Sequence, residues 1–588
     1  MTIFTSPHPP LTYPTNLTIW EWLFEPSLSA ASPFRKEVGE EGCPSQPEEA
    51  SGGYVNAVTQ ESLSFEQVRQ HAIRLSQALH TTYGIGEGDT VTLFSTNTIW
   101  YPVAMWAVLR LGGRVNGASP AYTVEEMVHA MKTARTKLVF TLVQAVGGVS
   151  EAAEKAGLGR ERVLVLDGGA DNRTTAGRRG VVSLQDLLEA EGQRGEEDDI
   201  LPHWRIGAGK TNKEVCGFLN FSSGTTGLPK AVMLSHHNVI AQCMQLRQLQ
   251  VKPDSGKRYS ILAVMPLFHI TGLVRFCTYP VLMNGYSYML PKYTLKGMLE
   301  AICAYQIEEL ILVPPILIRL VRDAIVQQYD LTHVKRWSSG SAPIAPEVIK
   351  ALQAKFPWTG FRQGYGATES TACITCHPPS HFDYKYATAG GKLVANTEAK
   401  VLSLEEDGRR ELGIGETGEI CARGPQIAMG YLDNEEATRE TFQDGWLHTG
   451  DVGHFDAEGL VHVEDRIKEM IKVKGLQVPP AELEDLLLGH EMVEDCAVTG
   501  VRDEWAGERP KAFVVVKRGI AENEATGRML LEYVRQNKVR YKWLVEVEFV
   551  DEVPKNATGK LLRRVLKLRE KEGGQAGLRV REHEKSRL

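Results

Sequence analysis

The sequence predicts an α/β protein: a large N-terminal domain of layered sheets and helices, then a small C-terminal α+β domain. Three observations carry this expectation. The chain has 588 residues, more than one hydrophobic core normally organises. After roughly the first 60 residues, strand-like apolar runs alternate with helix-period segments, the pattern of helices covering mainly parallel sheets. From Pro479-Pro480 onward the strands and helices form a compact unit of roughly 110 residues, within the usual domain range.

The elements follow in order. Residues 1–19 are extended and Pro-rich, and the apolar patch Trp20 to Phe24 anchors them. Residues 32–53 are rich in Pro, Glu and Gly and read as a mobile insert. Ser64 with Gln67 forms a capping box for a helix running to about His80. Thr90 to Phe94 is a strand, and Ile99 to Leu111 a helix stopped by Gly112-Gly113. Val124 to Thr133 is a helix, Leu138 to Thr141 a strand, and the polar runs 168–182 and 191–213 are loops. In the small domain, Pro480 opens a helix through Leu488. Strands Asp495 to Val501, Ala512 to Lys517 and Val545 to Val550 accompany a helix from Ala525 to Asn537. Residues 570–588 are charged and Gly-containing, and read as a disordered tail.

Composition removes several function classes. Lys and Arg number 66 against 73 Asp and Glu, without the basic excess of a nucleic-acid-binding protein. The nine Cys are scattered and odd in number; with no basic n-region or apolar core at the N-terminus, they read as reduced thiols inside a cell. No transmembrane segment is expected, because the most apolar region, Ile261 to Val274, is short and interrupted by Pro266 and His269.

The richest stretch is Phe221 to Lys230, FSSGTTGLPK, between the apolar runs CGFLN and AVMLS. It reads as a polar loop joining two strands. Gly224 and Gly227 let successive N–H groups turn toward one anion. Ser222, Ser223, Thr225 and Thr226 add hydroxyl donors, and Lys230 adds a point charge. The set suits a polyphosphate, with a solvated hairpin as the competing reading. It is not a Walker A loop, since Pro229-Lys230-Ala231 stands where Gly-Lys-Ser/Thr is required. FSSGTTGLPKAVMLSH resembles the signature of the adenylate-forming (AMP-binding) enzymes, in the branch of acyl-CoA synthetases and 4-coumarate–CoA ligases. The resemblance runs from about Trp20 to Lys567.

Further motifs acquire expected roles through it. An aromatic flanked by Gly364 and Gly366, Tyr365, can lie flat on a purine. Gln363 and Ala367 belong to the same nucleotide-binding segment. Thr368 can donate to an α-phosphate, and Glu369 can hold Mg²⁺, a hard cation that prefers carboxylate oxygen. The resemblance implies that His269 walls the tunnel between acyl group and thiol, and that Gly340, Ser341 and Ala342 border the acyl pocket and adenine. Ile270, Thr271, Val274 and Cys373 fall at acyl-pocket positions. Asp451 and Arg466 match the ribose contacts, and Lys468 the hinge. Lys560, in Pro554 to Lys560, matches the lysine that reaches the α-phosphate and acyl carboxylate. Lys472 and Gln477 would contact the adenylate, and Lys474-Gly475 the pantetheine channel. The domains implied are 1–466, a mobile lid 467–569, and the tail 570–588.

Two other spellings carry less. Cys373-Ile374-Thr375-Cys376-His377 matches a haem-attachment motif, but it directly follows the Tyr-Gly turn, and a zinc site lacks two further ligands at suitable spacing. Gly413 to Gly418 spells GxGxxG but leads into the strand Glu419 to Ala422 instead of opening a helix.

The resemblance implies an acid–thiol ligase using ATP, Mg²⁺ and coenzyme A. A carboxylic acid displaces pyrophosphate from ATP to give acyl-AMP, and the thiol then displaces AMP. Thr271-Gly272-Leu273-Val274 replaces the Tyr-Ala-Leu-Asn of hydroxycinnamate-binding relatives, so an aliphatic, branched or polyketide-like acid is at least as well supported as 4-coumarate. A luciferase-like monooxygenase, a stand-alone adenylation enzyme serving a carrier protein, and a non-catalytic nucleotide sensor remain as alternatives. Ser586-Arg587-Leu588 is one basic-for-basic exchange from the Ser-Lys-Leu address. The expected partner is a peroxisomal import receptor and the expected location the peroxisomal matrix, with the cytoplasm as alternative.

Overall fold

The structure is a computed structural model. It describes residues 2–34, 51–166, 180–193, 201–222, 229–251, 258–342, 344–405, 409–474, 476–503, 505–555 and 561–582.

A seven-stranded sheet forms one layer of the large domain. Strands Thr90–Phe94, Arg114–Ala118, Thr136–Thr141, Val163–Val165 and Cys216–Ser222 run parallel. Lys230–Ser235 then returns antiparallel to Cys216–Ser222. The strands are apolar on both faces because helices cover both sides. The expected helices are present at Phe65–Tyr83, Trp100–Arg110 and Val124–Thr133. Ser64 caps the first through the capping box with Gln67. Trp100–Arg110 is buried along its whole length. Its Trp106 packs edge-on against Phe24 of the short helix Ile19–Phe24, which anchors the N-terminal arm.

A second layer holds strands Glu309–Leu312, Arg336–Ser339 and Gly360–Tyr365, all parallel, followed by the antiparallel pieces Thr375–Cys376 and Lys392–Leu393. A third sheet pairs Ser260–Ala263, Tyr286–Met289 and Gly53–Asn56 in parallel. The ends of the proposed insert are therefore fixed: Gly53 starts a strand, and the buried Ser32 donates to the Leu23 carbonyl at 2.8 Å. Most of that insert, 35–50, lies outside the described residues.

The expectation of mainly parallel sheets fails between 398 and 466. There Glu398–Leu402, Gly418–Arg423, Trp446–Phe455 and Val461–Arg466 form an antiparallel sheet. Asp465 and Arg466 belong to its last strand. Helix Glu435–Thr441 lies between Gly418–Arg423 and Trp446–Phe455, yet those two strands pair antiparallel, so a helix between strands does not by itself signal a parallel crossover.

The small domain has its own sheet and core. The long pair Val493–Asp503 and Gly507–Val516 is its centre, Glu546–Phe549 joins in parallel, and helices Pro480–Leu488 and Glu524–Asn537 pack on it. The tail expected to be disordered from 570 is structured through 582. Helix Arg563–Lys571 enters it, and strand Arg579–Arg581 pairs with Glu546–Phe549. The charges that suggested disorder are paired here, with Arg579 Nε 2.9 Å from Glu548. Residues 583–588, with Ser586, Arg587 and Leu588, lie outside the described residues.

Candidate functional site

Three strands of the large domain end at one place. Ser222, Ser339 and Tyr365 close Cys216–Ser222, Arg336–Ser339 and Gly360–Tyr365, and open α/β sheets bind ligands at such carboxyl ends. A cavity of about 700 Å³ opens there.

At one end, the Tyr365 hydroxyl donates to Asp451 Oδ2 at 2.9 Å, and Arg466 Nε lies 3.1 Å from Asp451 Oδ1. Asp451 and Arg466 are directly opposed across an antiparallel pair. Burial, and then the adjacent Asp451 carboxylate, hold the Tyr365 phenol well above its ordinary pKa, so it stays a donor. The backbone beneath Asp451 is also held: Gly450 N–H donates to Glu419 Oε1 at 3.3 Å. Glu419 in turn meets His448 at 3.0 Å and Arg409 at 2.9 Å. Burial alone would raise the Glu419 carboxyl, but His448 and Arg409 hold it below its usual value. With Cys421, Glu419 and His448 have the composition of a metal site. Arg409 already neutralises that carboxylate, so the trio reads as a support for the Asp451 turn.

The next wall carries Thr368 and Glu369 on a single 3-10 turn. The Tyr431 hydroxyl donates to Glu369 Oε1 at 2.8 Å, and Lys230 Nζ sits 4.9 Å from the Tyr431 ring centre. Thr371 and Ala372 follow with φ of 52° and 104°, a left-handed path that costs non-glycine residues of order 1–3 kcal/mol each. This path explains Gly366 differently from the sequence reading. A Cβ at 366 would stand 1.9 Å from the Ala372 carbonyl oxygen, so the glycine is required by its own chain's close approach. Ser222 and Lys230 both line the cavity and face each other across the strand pair. The turn between them, with Ser223, Gly224, Thr225, Thr226 and Gly227, lies outside the described residues, as do Gly475 and Lys560.

The third wall is the turn after strand Ser260–Ala263. His269, Ile270 and Thr271 line the cavity here, opposite Gly340, Ser341 and Cys373. Buried Asn97 fixes the turn by donating to the Ala263 and Met265 carbonyls at 2.9 and 3.0 Å and accepting from Leu267 N–H at 3.0 Å. Gly272 is needed because a Cβ would meet the Pro266 carbonyl at 2.2 Å. The chain then continues as a π-helix, Gly272–Thr278, a form that recurs at functional sites.

Several expected residues are not in the lining. Tyr365 and Asp451 are absent from it, although their neighbours Gly364, Gly366, Gly450 and the paired Arg466 line it. Val274 is fully buried in the core; Ala342 and Gln363 are also absent, and Gln363 N–H donates to His377 Nδ1 at 3.2 Å. That bond, together with Arg362 Nε 3.2 Å from Cys376 Sγ, engages the groups a haem or zinc reading would need. Lys472 and Gln477 are direct cross-strand neighbours in the hairpin Ile471–Val473/Leu476–Val478 of the small domain, away from the cavity lining. Lys474, with φ of 52°, forms the hairpin turn and lies over the Trp505 ring. Lys468 does line the cavity, just after Arg466.

Sequence reasoning missed Asn97, Tyr431, Glu419 and a buried group of Arg275, Glu309 and Arg362 that also lines the cavity. Charges inside apolar strand runs were the available signal for Glu309 and Arg362. Asn97 and Tyr431 carried none, since their partners stand 166 and 62 residues away.

Known proteins match over the same regions. Residues 46–432 match the family model described as AMP-binding enzyme, and 482–560 that of the AMP-binding enzyme C-terminal domain. The chain is 33% identical to 4-coumarate–CoA ligase-like 1 of Arabidopsis thaliana, over 96% of each chain. It is 34% identical to peroxisomal OPC-8:0-CoA ligase 1 of the same plant, over 87% of this chain and 89% of that one. Among solved structures, ATP-bound MatB from Rhodopseudomonas palustris superimposes with a TM-score of 0.77 at 25% identity, covering 95% of this chain and 99% of the other.

Proposed function

The chain belongs to the AMP-binding enzyme family, and we infer from its site that it is an ATP-dependent acid–thiol ligase. It joins a carboxylic acid to AMP with release of pyrophosphate, then passes the acyl group to coenzyme A. A carboxylate is a poor acyl donor because oxide is a poor leaving group; AMP is a good one.

The observation that carries the reading is Arg466, Thr368 and Glu369 lining one cavity, with Arg466 paired to Asp451 and Asp451 bonded to the Tyr365 hydroxyl. Asp451 offers two acceptor oxygens to a ribose diol, and Tyr365 offers a ring face to the purine. Thr368 and Lys230, with the loop 222–230, supply donors and charge for the phosphates. Adenylation brings a carboxylate and a phosphate together, so charge placed beforehand lowers the barrier. Glu369 fits a magnesium ion: Tyr431 engages one carboxylate oxygen, and the second suffices as a ligand. The ion would neutralise phosphate charge. His269 walls the acyl side.

Lys560 serves the first step, and Lys472, Gln477, Lys474 and Gly475 the second. Lys468 is the hinge. A peroxisomal destination is supported by Ser586-Arg587-Leu588 and by the relative named as peroxisomal.

The test is a pyrophosphate-release screen across acid classes, with and without coenzyme A. At least one acid gives release without the thiol and acyl-CoA with it. Lys560→Ala cuts acyl-AMP formation on the order of 10²–10³-fold while thioester formation from supplied acyl-AMP persists. Equal loss of both half-reactions refutes the assignment of Lys560, and no release with any acid refutes the ligase.

A further inference from the structure

The acyl side of the cavity does not end in an apolar floor. It runs along one face of the sheet Glu309–Leu312, Arg336–Ser339, Gly360–Tyr365. Residues two apart on a strand share a face: Glu309 and Ile311, Ser338 and Gly340, Arg362 and Gly364 all line the cavity. Gly340 and Gly364 stand near the strand ends where Thr368 and Glu369 follow. Ser338 and Arg362, directly opposed in the register, lie one pleat repeat further in, and Glu309, opposed to Arg336, lies deeper.

At that depth the charges do not cancel. Arg362 Nη1 is 3.2 Å from Glu309 Oε1, Arg336 Nη2 is 3.3 Å from Glu309 Oε2, and Arg275 Nη2 is 3.8 Å from Glu309 Oε1. Glu309 also accepts from Ser338 Oγ and Gln250 Nε2, each at 3.3 Å. Burial would raise the Glu309 carboxyl, but the three guanidiniums hold it far below the carboxylate range. Two buried guanidiniums, Arg275 and Arg362, and the half-buried Arg336 thus face one carboxylate. Among the described residues, Cys376 also touches this group: its hydrogen bond with Cys373, against the effect of burial, and Arg362 pull its thiol down. Even counted as a thiolate, it leaves the three guanidiniums in excess of the two anions. Arg275 and Arg362 are 5% and 3% exposed. Arg275 Nε, Arg362 Nη2 and Ser339 Oγ are buried with no hydrogen-bond partner among the described residues. Unneutralised buried charge and unmet donors are costly unless something else satisfies them. Arg275 sits on the π-helix Gly272–Thr278, and an apolar acyl tail would leave this group unsatisfied.

We propose that the distal end of the acyl pocket is an anion subsite, and that the enzyme's acid substrate carries a second carboxylate bound by Arg275 and Arg362. This rests on the ligase reading. One to two pleat repeats separate the strand ends from the guanidiniums, which sets the two carboxyls about 7–14 Å apart. Arg275, Arg362 and Ser338 select the substrate; the chemistry at the first carboxyl is unchanged.

The test compares matched linear monoacids, ω-hydroxy acids and α,ω-diacids, of about seven to twelve carbons to span that separation, by pyrophosphate release with coenzyme A present. The expected result is a kcat/KM at least about tenfold higher for the diacid than for its monoacid at the best length. That is the least a charge-assisted hydrogen bond contributes. Arg275→Met lowers that ratio through KM for the diacid, leaving KM for ATP unchanged. Because loss of one Arg can destabilise the fold, Glu309→Gln is the second variant: it keeps shape, adds one net positive charge and raises the diacid preference. Monoacids or hydroxy acids as good as diacids at every length, or unchanged ratios in both variants, overturn the subsite. Release only with acids outside these series overturns it while leaving the ligase intact; release with none overturns both.

Discussion

At the residue scale, the site is built from pairs that fix one another. Asp451 is held by a phenol at 2.9 Å and a guanidinium at 3.1 Å, so its two oxygens are oriented before any ligand arrives. Hydrogen bonds to charged groups of this kind contribute about 1.5–3 kcal/mol. Asp451→Asn, isosteric but neutral, therefore raises KM for ATP by about ten- to a hundredfold, with a melting temperature near the parent's. A KM for ATP within about twofold of the parent's would remove Asp451 from the nucleotide contacts. Pre-orientation also explains the tolerance of strained residues next door: the left-handed Thr371 and Ala372 hold the Thr368-Glu369 turn against the cavity, and the Thr371 hydroxyl bonded to the Gln426 carbonyl secures them.

At the element scale, the C-terminal strand Arg579–Arg581 closes the small domain's sheet. Lys511, 1% exposed, faces Glu546 at 2.6 Å, Glu548 at 2.8 Å and Glu570 at 2.6 Å. One ammonium does not balance three carboxylates; Arg579, 2.9 Å from Glu548 and 3.2 Å from Glu570, and Arg581 on Glu546 supply the rest. Deleting 572–588 removes both guanidiniums and bares a sheet edge. Breaking a buried ion network costs about 3–5 kcal/mol, so the truncated protein melts at least several degrees lower, and protease cuts the small domain first. An unchanged melting curve would mean that the strand adds nothing to the domain.

At the scale of the whole molecule, the two domains meet through the last strand of the large one. Asp465 accepts from Ala481 N–H at 2.9 Å, at the start of helix Pro480–Leu488, and lies 3.8 Å from Arg563. Further out, Arg322 reaches Glu494 at 3.4 Å. These contacts are few and polar, as suits an interface that opens, and they begin beside the proposed hinge. Lys560 and the pair Lys472 and Gln477 serve different half-reactions in our reading, so the small domain turns about Lys468 between them. Lys468→Pro, which limits φ at that position, preserves acyl-AMP formation and lowers thioester output on the order of a hundredfold, as gating steps can. Full thioester output from this variant would argue against a hinge at 468.

The sequence by itself determined what local chemistry determines. Ser64 with Gln67, Gly112-Gly113 and Pro480 placed helix boundaries to within a few residues, because caps and breakers act on their own turn. The motif spellings were enough to name the family. Only the tertiary structure decided which residues share a wall: that Tyr431 steadies Glu369 across 62 residues, that Gly366 yields to the Ala372 carbonyl, and that Glu309 meets Arg362 across 53. It also decided that Arg579–Arg581 within the charged tail is a strand. Such facts depend on sheet register and crossover, which bring together residues whose local sequences carry no trace of one another.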